Sequence, residues 1–181
     1  QIDKQGFRSA FDALAALSQN TGVVQGEDFG NTFTPAANVI NLRGLGPNHT
    51  LVLINGRRQA DYPLAYEGSV NVVNLANIPS ALIERIEVLA AGASAVYGSD
   101  AIAGVVNIIT RKRFDGLEGS AYIGQYGQGD GNKEVYNFVI GQTGERGSVT
   151  LGAEYSKEDP VFARDRDFTR YPNGRAHPFP D

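Results

Sequence analysis

IPSALIERIEVLAAGASAVYGSDAIAGVVNIITRK, residues 78–112, joins two strand-like runs through a segment of alanine, serine and glycine. In Arg85 to Leu89, charged Arg85 and Glu87 alternate with Ile86 and Val88, which predicts a strand with one wet face. Val105 to Ile109 is apolar on both faces apart from Asn107, the pattern of a strand buried from both sides. Pro79 stands where the first turn of a short helix would accept it.

Upstream, Phe7, Phe11, Leu14 and Leu17 repeat at helical spacing, with Ala10 and Ala15 between them. A helix is expected near Gln5 to Ser18, with Gly22 as its stop. Residues 25–37 show no periodicity and read as a loop, whereas Asn38 to Arg43 alternates and predicts a short strand. Thr50 to Ile54 is apolar and β-branched, and Asn55-Gly56 after it signals a type I′ hairpin whose return strand starts at Arg57. Asp61 to Ser69, with Pro63 and Gly68, reads as a further loop ahead of the apolar run Val70 to Leu75. This order of elements predicts an α+β domain over residues 1–113.

After Phe114 the texture changes to evenly spaced strand patterns between glycine-rich turns. Val149, Leu151, Ala153 and Tyr155 share one face of Ser148 to Tyr155, opposite Ser148, Thr150, Gly152 and Glu154. An apolar face ending in tyrosine, backed by a polar one, suits a transmembrane barrel strand between lipid and lumen. Gly116 to Gly124 and Glu134 to Gly141 repeat the pattern, and residues 144–147 form a compact turn. Residues 114–181 are therefore expected to hold antiparallel strands and a loop.

Composition removes several function classes. The chain carries a net charge of −4 and a pI near 5.2, without the clustered basic stripe of a nucleic-acid surface. With no cysteine there is no disulfide framework, thiol nucleophile or thiolate metal site. With no methionine, the chain is expected to be processed or cut. No apolar run approaches the roughly 20 residues of a membrane helix. The two histidines, His49 and His177, lie far apart without Asp or Glu at ligand spacing, so no metal site is expected and both read as solvated loop residues. Arg43-Gly44-Leu45-Gly46 begins like a phosphate loop, but Pro47-Asn48-His49 breaks the spacing; Gly92 to Gly98 has no P-loop lysine. Ser94 and Ser99 occupy no nucleophile elbow. No catalytic set and no cofactor is expected. Tyr62, Tyr66 and Glu67 could stack on or hydrogen-bond a ligand; the competing reading is that the tyrosines anchor their loop.

The Ile78-Pro79 start, Glu84 to Val88, Ala93 to Gly98 and Gly104 to Thr110 together resemble the signature of the plug domain of TonB-dependent outer-membrane receptors. The resemblance implies an α+β plug, with a small mixed β-sheet and short helices, over residues 1–113. Over residues 114–181 it implies the first strands of a transmembrane β-barrel of about 22 strands. It implies a Gram-negative outer-membrane location, the TonB protein and the rest of the barrel as partners, and a nutrient ligand such as a ferric siderophore, cobalamin, haem or oligosaccharide. By position it nominates Asn48, His49, Tyr62, Tyr66 and Glu67 as ligand contacts in apical loops, and Arg43 as a plug residue that pairs with barrel carboxylates. Two departures stand out. Ala90 and Ala91, then Gly92, occupy the place of an arginine and proline after the IEVL strand, and Gln1 to Gln5 lacks the apolar box that contacts TonB, which is expected upstream. Three barrel-like strands cannot close, so a fragment is expected. The alternative is a soluble periplasmic binding module on a plug-like fold.

Overall fold

The computed structural model describes residues 9–22, 26, 34, 37–76, 78–90, 92–162 and 165–166. The chain divides into two compact units, one of Gln1–Gly119 with Asn137–Glu154 and the other of Ser120–Tyr136 with Tyr155–Asp181.

In the first unit, Asn55 and Gly56 adopt φ of 51° and 78° and reverse the chain between β1 (Thr50–Ile54) and β2 (Arg57–Arg58), as the Asn-Gly pair predicts. Strands β3 (Ile83–Leu89) and β4 (Gly104–Thr110) complete a mixed sheet of order β2-β1-β4-β3. β1 runs parallel to β4, from Thr50 opposite Gly104 to Ile54 opposite Ile108, while β3 is antiparallel to β4 with a register shift between Ile83 and Arg85. The apolar run of residues 105–109 is thus the interior strand. Val106 and Ile108 face one core with Leu42, Val52 and Leu75; Val105 faces the other with Leu51 and Leu53.

Between β3 and β4 the small-residue segment folds into α2 (Ser94–Tyr97) and a 3-10 turn, Ser99–Ala101. Its composition has a packing reason: Ala93 and Ala101 are buried beneath Leu51, Leu53 and Val105, where larger side chains would lift the segment off the sheet. Gly104, at φ 145°, opens β4 so close to its neighbour that an added Cβ would lie 2.6 Å from the Leu89 carbonyl oxygen.

The N-terminal helix α1 spans Ala10–Ala15 and is capped by Ser9, whose hydroxyl accepts from the Asp12 N–H at 3.1 Å. It ends three residues before Ser18, because the Leu17 N–H bonds to the Leu14 carbonyl and tightens the last turn. The part of the expected helix before Ser9 lies outside the described residues. So does the expected loop at 25–37, apart from Gly26, Thr34 and Ala37. Pro79 directly precedes a 3-10 turn, Ser80–Leu82, that leads into β3.

The strand expected at Asn38 to Arg43 does not form. Only Val39 makes a bridge, and Leu42–Gly44 is a 3-10 turn with Arg43 at φ 59°. Val39, Ile40, Asn41 and Leu42 are all buried, so the alternation does not mark a wet face and a dry one. Side chains take the backbone bonds that a neighbouring strand would supply. The Asn38 N–H donates to Asn74 Oδ1, the Asn41 N–H to Asn20 Oδ1 and the Leu42 N–H to Thr50 Oγ1, at 2.8, 3.1 and 3.2 Å.

A second sheet comprises β5 (Gly116–Gly124), β6 (Lys133–Gly144) and β7 (Gly147–Glu158) in sequential order, with a two-residue loop at Glu145 and Arg146 between β6 and β7. β7 carries the expected alternation with its apolar side outward, whereas β6 also buries Val135 and Val139 on its inward face and β5 is exposed from Gly116 to Ile123. Val149 and Leu151 are each 63% exposed, and Phe138, Ile140 and Leu117 are also exposed, while Thr150, Gly152 and Glu154 are half-buried.

Candidate functional site

The return strand β2 and the chain that follows it bound a cleft of about 420 Å³ in the first unit. Its floor is Leu51, Val52 and Val72, and its walls carry Asn48, Arg58, Gln59, Asp61, Ser69 and Asn71, with Asp100 from the turn after α2. Arg58 is fixed twice: Nη1 donates to Asp100 Oδ2 at 2.6 Å and Nη2 to the Tyr97 carbonyl at 2.5 Å. The guanidinium holds the Asp100 carboxyl below the ordinary aspartate range, with help from the Ser99 hydroxyl. Asn48, Asp61, Ser69 and Asn71 have no side-chain partner among the described residues and present their polar groups to solvent.

Of the residues nominated from sequence, Asn48 lines this cleft. His49 follows it at the end of the 3-10 turn Pro47–His49, and its carbonyl accepts from the Ala103 N–H at 2.9 Å. Its ring Nδ1 is buried without a hydrogen-bond partner. Tyr62 and Tyr66 pack against a small cluster of Ala37, Val39 and Val72, the placement of loop anchors. Burial raises the Tyr66 phenol above its ordinary value, and the adjacent Glu67 carboxylate adds to the shift. Glu67 is exposed at the tip of the Tyr66–Val70 turn, at φ 51°. The structure therefore brings Asn48 to the cleft beside His49, and groups Tyr62, Tyr66 and Glu67 on a neighbouring loop.

Arg43 is exposed, and its Nη1 donates to the Ala90 carbonyl at 3.1 Å. That carbonyl belongs to the alanine pair standing in place of the expected arginine; Ala91 itself lies outside the described residues. The cleft residues Arg58 and Asp100 carry no local sequence signal, because 42 positions separate the pair.

A second polar cluster ties the 3-10 turn before β3 to the inward side of the β6–β7 hairpin. Glu154 Oε2 accepts from the Ser80 N–H at 3.0 Å and from the Ser80 hydroxyl at 2.6 Å, and Asn137 Nδ2 reaches the same hydroxyl at 3.5 Å. Beside it Leu82 fills the space over Gly152, where a Cβ would sit 2.6 Å from Leu82 Cδ2. Arg111–Glu118 at 2.6 Å, and the Ser148 hydroxyl donating to the Lys112 carbonyl at 2.8 Å, add further ties.

Among the described residues no group of three or more His, Cys, Asp or Glu side chains is placed to hold a metal ion, and no helix is long and apolar enough to cross a membrane. The second unit is laced by polar pairs. Arg166 grips Asp130 through two bonds of 2.6 and 2.8 Å, Lys133 pairs with Glu158, and Asn132 donates to Asp159. Tyr136 and Tyr155 stack there with centroids 6.4 Å apart.

The fold is similar to that of the ferric citrate transporter FecA in its unliganded form, with a TM-score of 0.56 at 21% identity over 83% of this chain. The chain spans 23% of the length of that protein. Residues 1–105 match the TonB-dependent receptor plug domain family, a span holding the mixed sheet through Val105 and every described residue that lines the cleft. With more than half of its 181 residues in that match, the chain belongs to the TonB-dependent receptor plug domain family.

Proposed function

We propose that this chain is the plug, residues 1–113, and the first barrel strands, residues 114–181, of a Gram-negative outer-membrane receptor. The receptor imports a scarce, bulky nutrient with energy delivered by TonB. In this reading the plug occupies and gates the barrel lumen, and the rest of the barrel and TonB are its partners. Asn48, His49 and Glu67 meet the nutrient together with the exposed parts of Tyr62 and Tyr66, whose inner faces anchor their loop, and Arg43 meets barrel carboxylates. The protein binds and transports, and performs no catalysis.

The observation that carries this reading is the inversion of strand β7. Val149 and Leu151 face outward while Glu154 turns inward to a plug serine, an arrangement unfavourable in water and suited to a wall between lipid and a filled lumen. Because the chain has no cysteine, a single introduced thiol reports cleanly. A fluorophore on Leu151→Cys, placed in the full-length receptor that contains this chain with any cysteine outside it replaced, and examined in outer-membrane vesicles from a Gram-negative host, should be quenched by spin-labelled lipid, whereas the same label on Thr150→Cys should not. Equal quenching at both positions, or recovery of the protein as a soluble periplasmic species, would favour the binding-module alternative and end the receptor reading.

A further inference from the structure

The charges of the cleft select among the ligands a nutrient receptor could take, an inference that rests on the proposed binding role of the plug. Among the described residues Arg58 is the one cationic side chain that lines it. Its guanidinium pairs with Asp100 and also donates to the Tyr97 carbonyl, and Arg58 holds the Asp100 carboxyl below its ordinary range. An anion entering the cleft would find the charge of Arg58 already balanced by that of Asp100. It would also face Asp61, an exposed carboxylate with no cation of its own among the described residues.

The remaining polar lining among the described residues is uncharged. Asn48, Gln59 and Asn71 each offer both donors and acceptors, and Ser69 adds a hydroxyl. Leu51, Val52 and Val72 supply an apolar floor, while the Thr50 hydroxyl is already engaged by the Leu42 N–H. A volume of about 420 Å³ accommodates a small ligand or one end of a large one. We propose that this cleft receives an electrically neutral ligand rich in hydroxyl or amide groups and rejects anionic metal chelates. The ferric citrate of the structural relative falls in the rejected class.

The test titrates the chain in detergent with three probes, maltopentaose, a neutral ferric trihydroxamate (read through its gallium analogue in the NMR arm) and ferric citrate, following the backbone amides of Gln59, Ser69 and Asn71 and the heat of binding. At least one neutral probe should move those amides; a maltopentaose response identifies a glycan and a trihydroxamate response a neutral chelate. Loss of one side-chain hydrogen bond in Asn71→Ala should weaken that probe's Kd about fivefold. Ferric citrate should leave the amides unmoved until Asp61→Lys supplies a free cation. Movement of the wild-type amides by ferric citrate, or by none of the three, overturns the assignment. Either result leaves the lipid-quenching test of the receptor reading standing separately, so the two ideas fail independently.

Discussion

The mixed sheet and strand β7 use the same alphabet in opposite senses. In the mixed sheet Val106 and Ile108 are wholly buried and charged Arg85 and Glu87 are exposed, the arrangement of a water-soluble core. In β7 Val149 and Leu151 are exposed, while Thr150, Gly152 and Glu154 are half-buried against neighbouring groups. Period-two alternation is present in both, so alternation alone says only that the faces differ. The partner of each face decides which one is inside. For β4 the partners are apolar side chains from both sides of the sheet; for β7 the inward partners are Ser80 and Leu82 of the plug.

The hardest blow to this contrast would come from truncating one residue of each kind. Ile108→Ala removes a fully buried side chain from the central strand and should cost about 2–5 kcal/mol. Leu151→Ala, on the exposed face, should cost no more than about 0.5 kcal/mol in detergent. Urea titrations followed by far-UV circular dichroism give both values. Equal losses would mean that the outward face of β7 is a core surface.

A smaller effect is expected where β7 meets the plug. Gly152→Val places a side chain in space held by Leu82 and should destabilise by about 1–3 kcal/mol, through displacement of the turn that leads into β3. Adding Leu82→Ala should recover part of that loss, because the two substitutions exchange volume across one contact. Independent, additive effects in the double variant would show that Leu82 does not rest on Gly152.

Much of this could be read from sequence, and the omissions share a cause. β3, β4, the Asn55-Gly56 hairpin and the two faces of β7 follow from local period and turn chemistry, which need no knowledge of distant residues. The Asn38 to Arg43 segment misleads because its alternation coincides with burial on both sides, and its backbone partners are side chains of Asn20, Thr50 and Asn74. The parallel pairing of β1 with β4 joins segments more than fifty positions apart, and no residue type announces its register. The candidate site divides in the same way. Asn48 and the tyrosine loop stand in a recognisable place in the chain, whereas Arg58, Asp100 and the Ser80–Glu154 contact become visible only when the fold joins them.

The Ser80–Glu154 contact offers a finer comparison, between a polar tie inside the hairpin and the apolar residues outside it. Ser80→Ala and Glu154→Ala should show a coupling energy of about 1 kcal/mol in a double-mutant cycle. Ser80→Ala alone leaves the backbone N–H still bonded to Glu154, so it should cost less than Glu154→Ala. The same cycle between Ser80 and outward Leu151 should give no coupling. A coupling there would erase the distinction between the two faces.

The smallest effect concerns the second unit, whose described contacts are mainly ion pairs and hydrogen bonds. The Arg166 guanidinium lowers the Asp130 carboxyl below its ordinary value of 3.8; Asn132, then Lys157, does the same for Asp159. A carboxyl lowered in the folded state is bound by fewer protons there than in the unfolded chain. Its contribution is therefore complete above pH 3.8 and is lost as the pH falls from 3.8 through the lowered value. Near-ultraviolet circular dichroism of the stacked Tyr136 and Tyr155 should weaken on acidification through that window, before the far-ultraviolet signal of the buried mixed sheet does. Added salt at neutral pH should weaken the exposed Lys157–Asp159 pair more than the part-buried Arg166–Asp130 pair, and the apolar core least. Asp130→Asn should lower the neutral-pH signal and leave the acid one unchanged. If the variant loses the same signal at both ends of the window, Asp130 contributes through its shape and not its charge, and the two units are held by forces more alike than their contacts suggest.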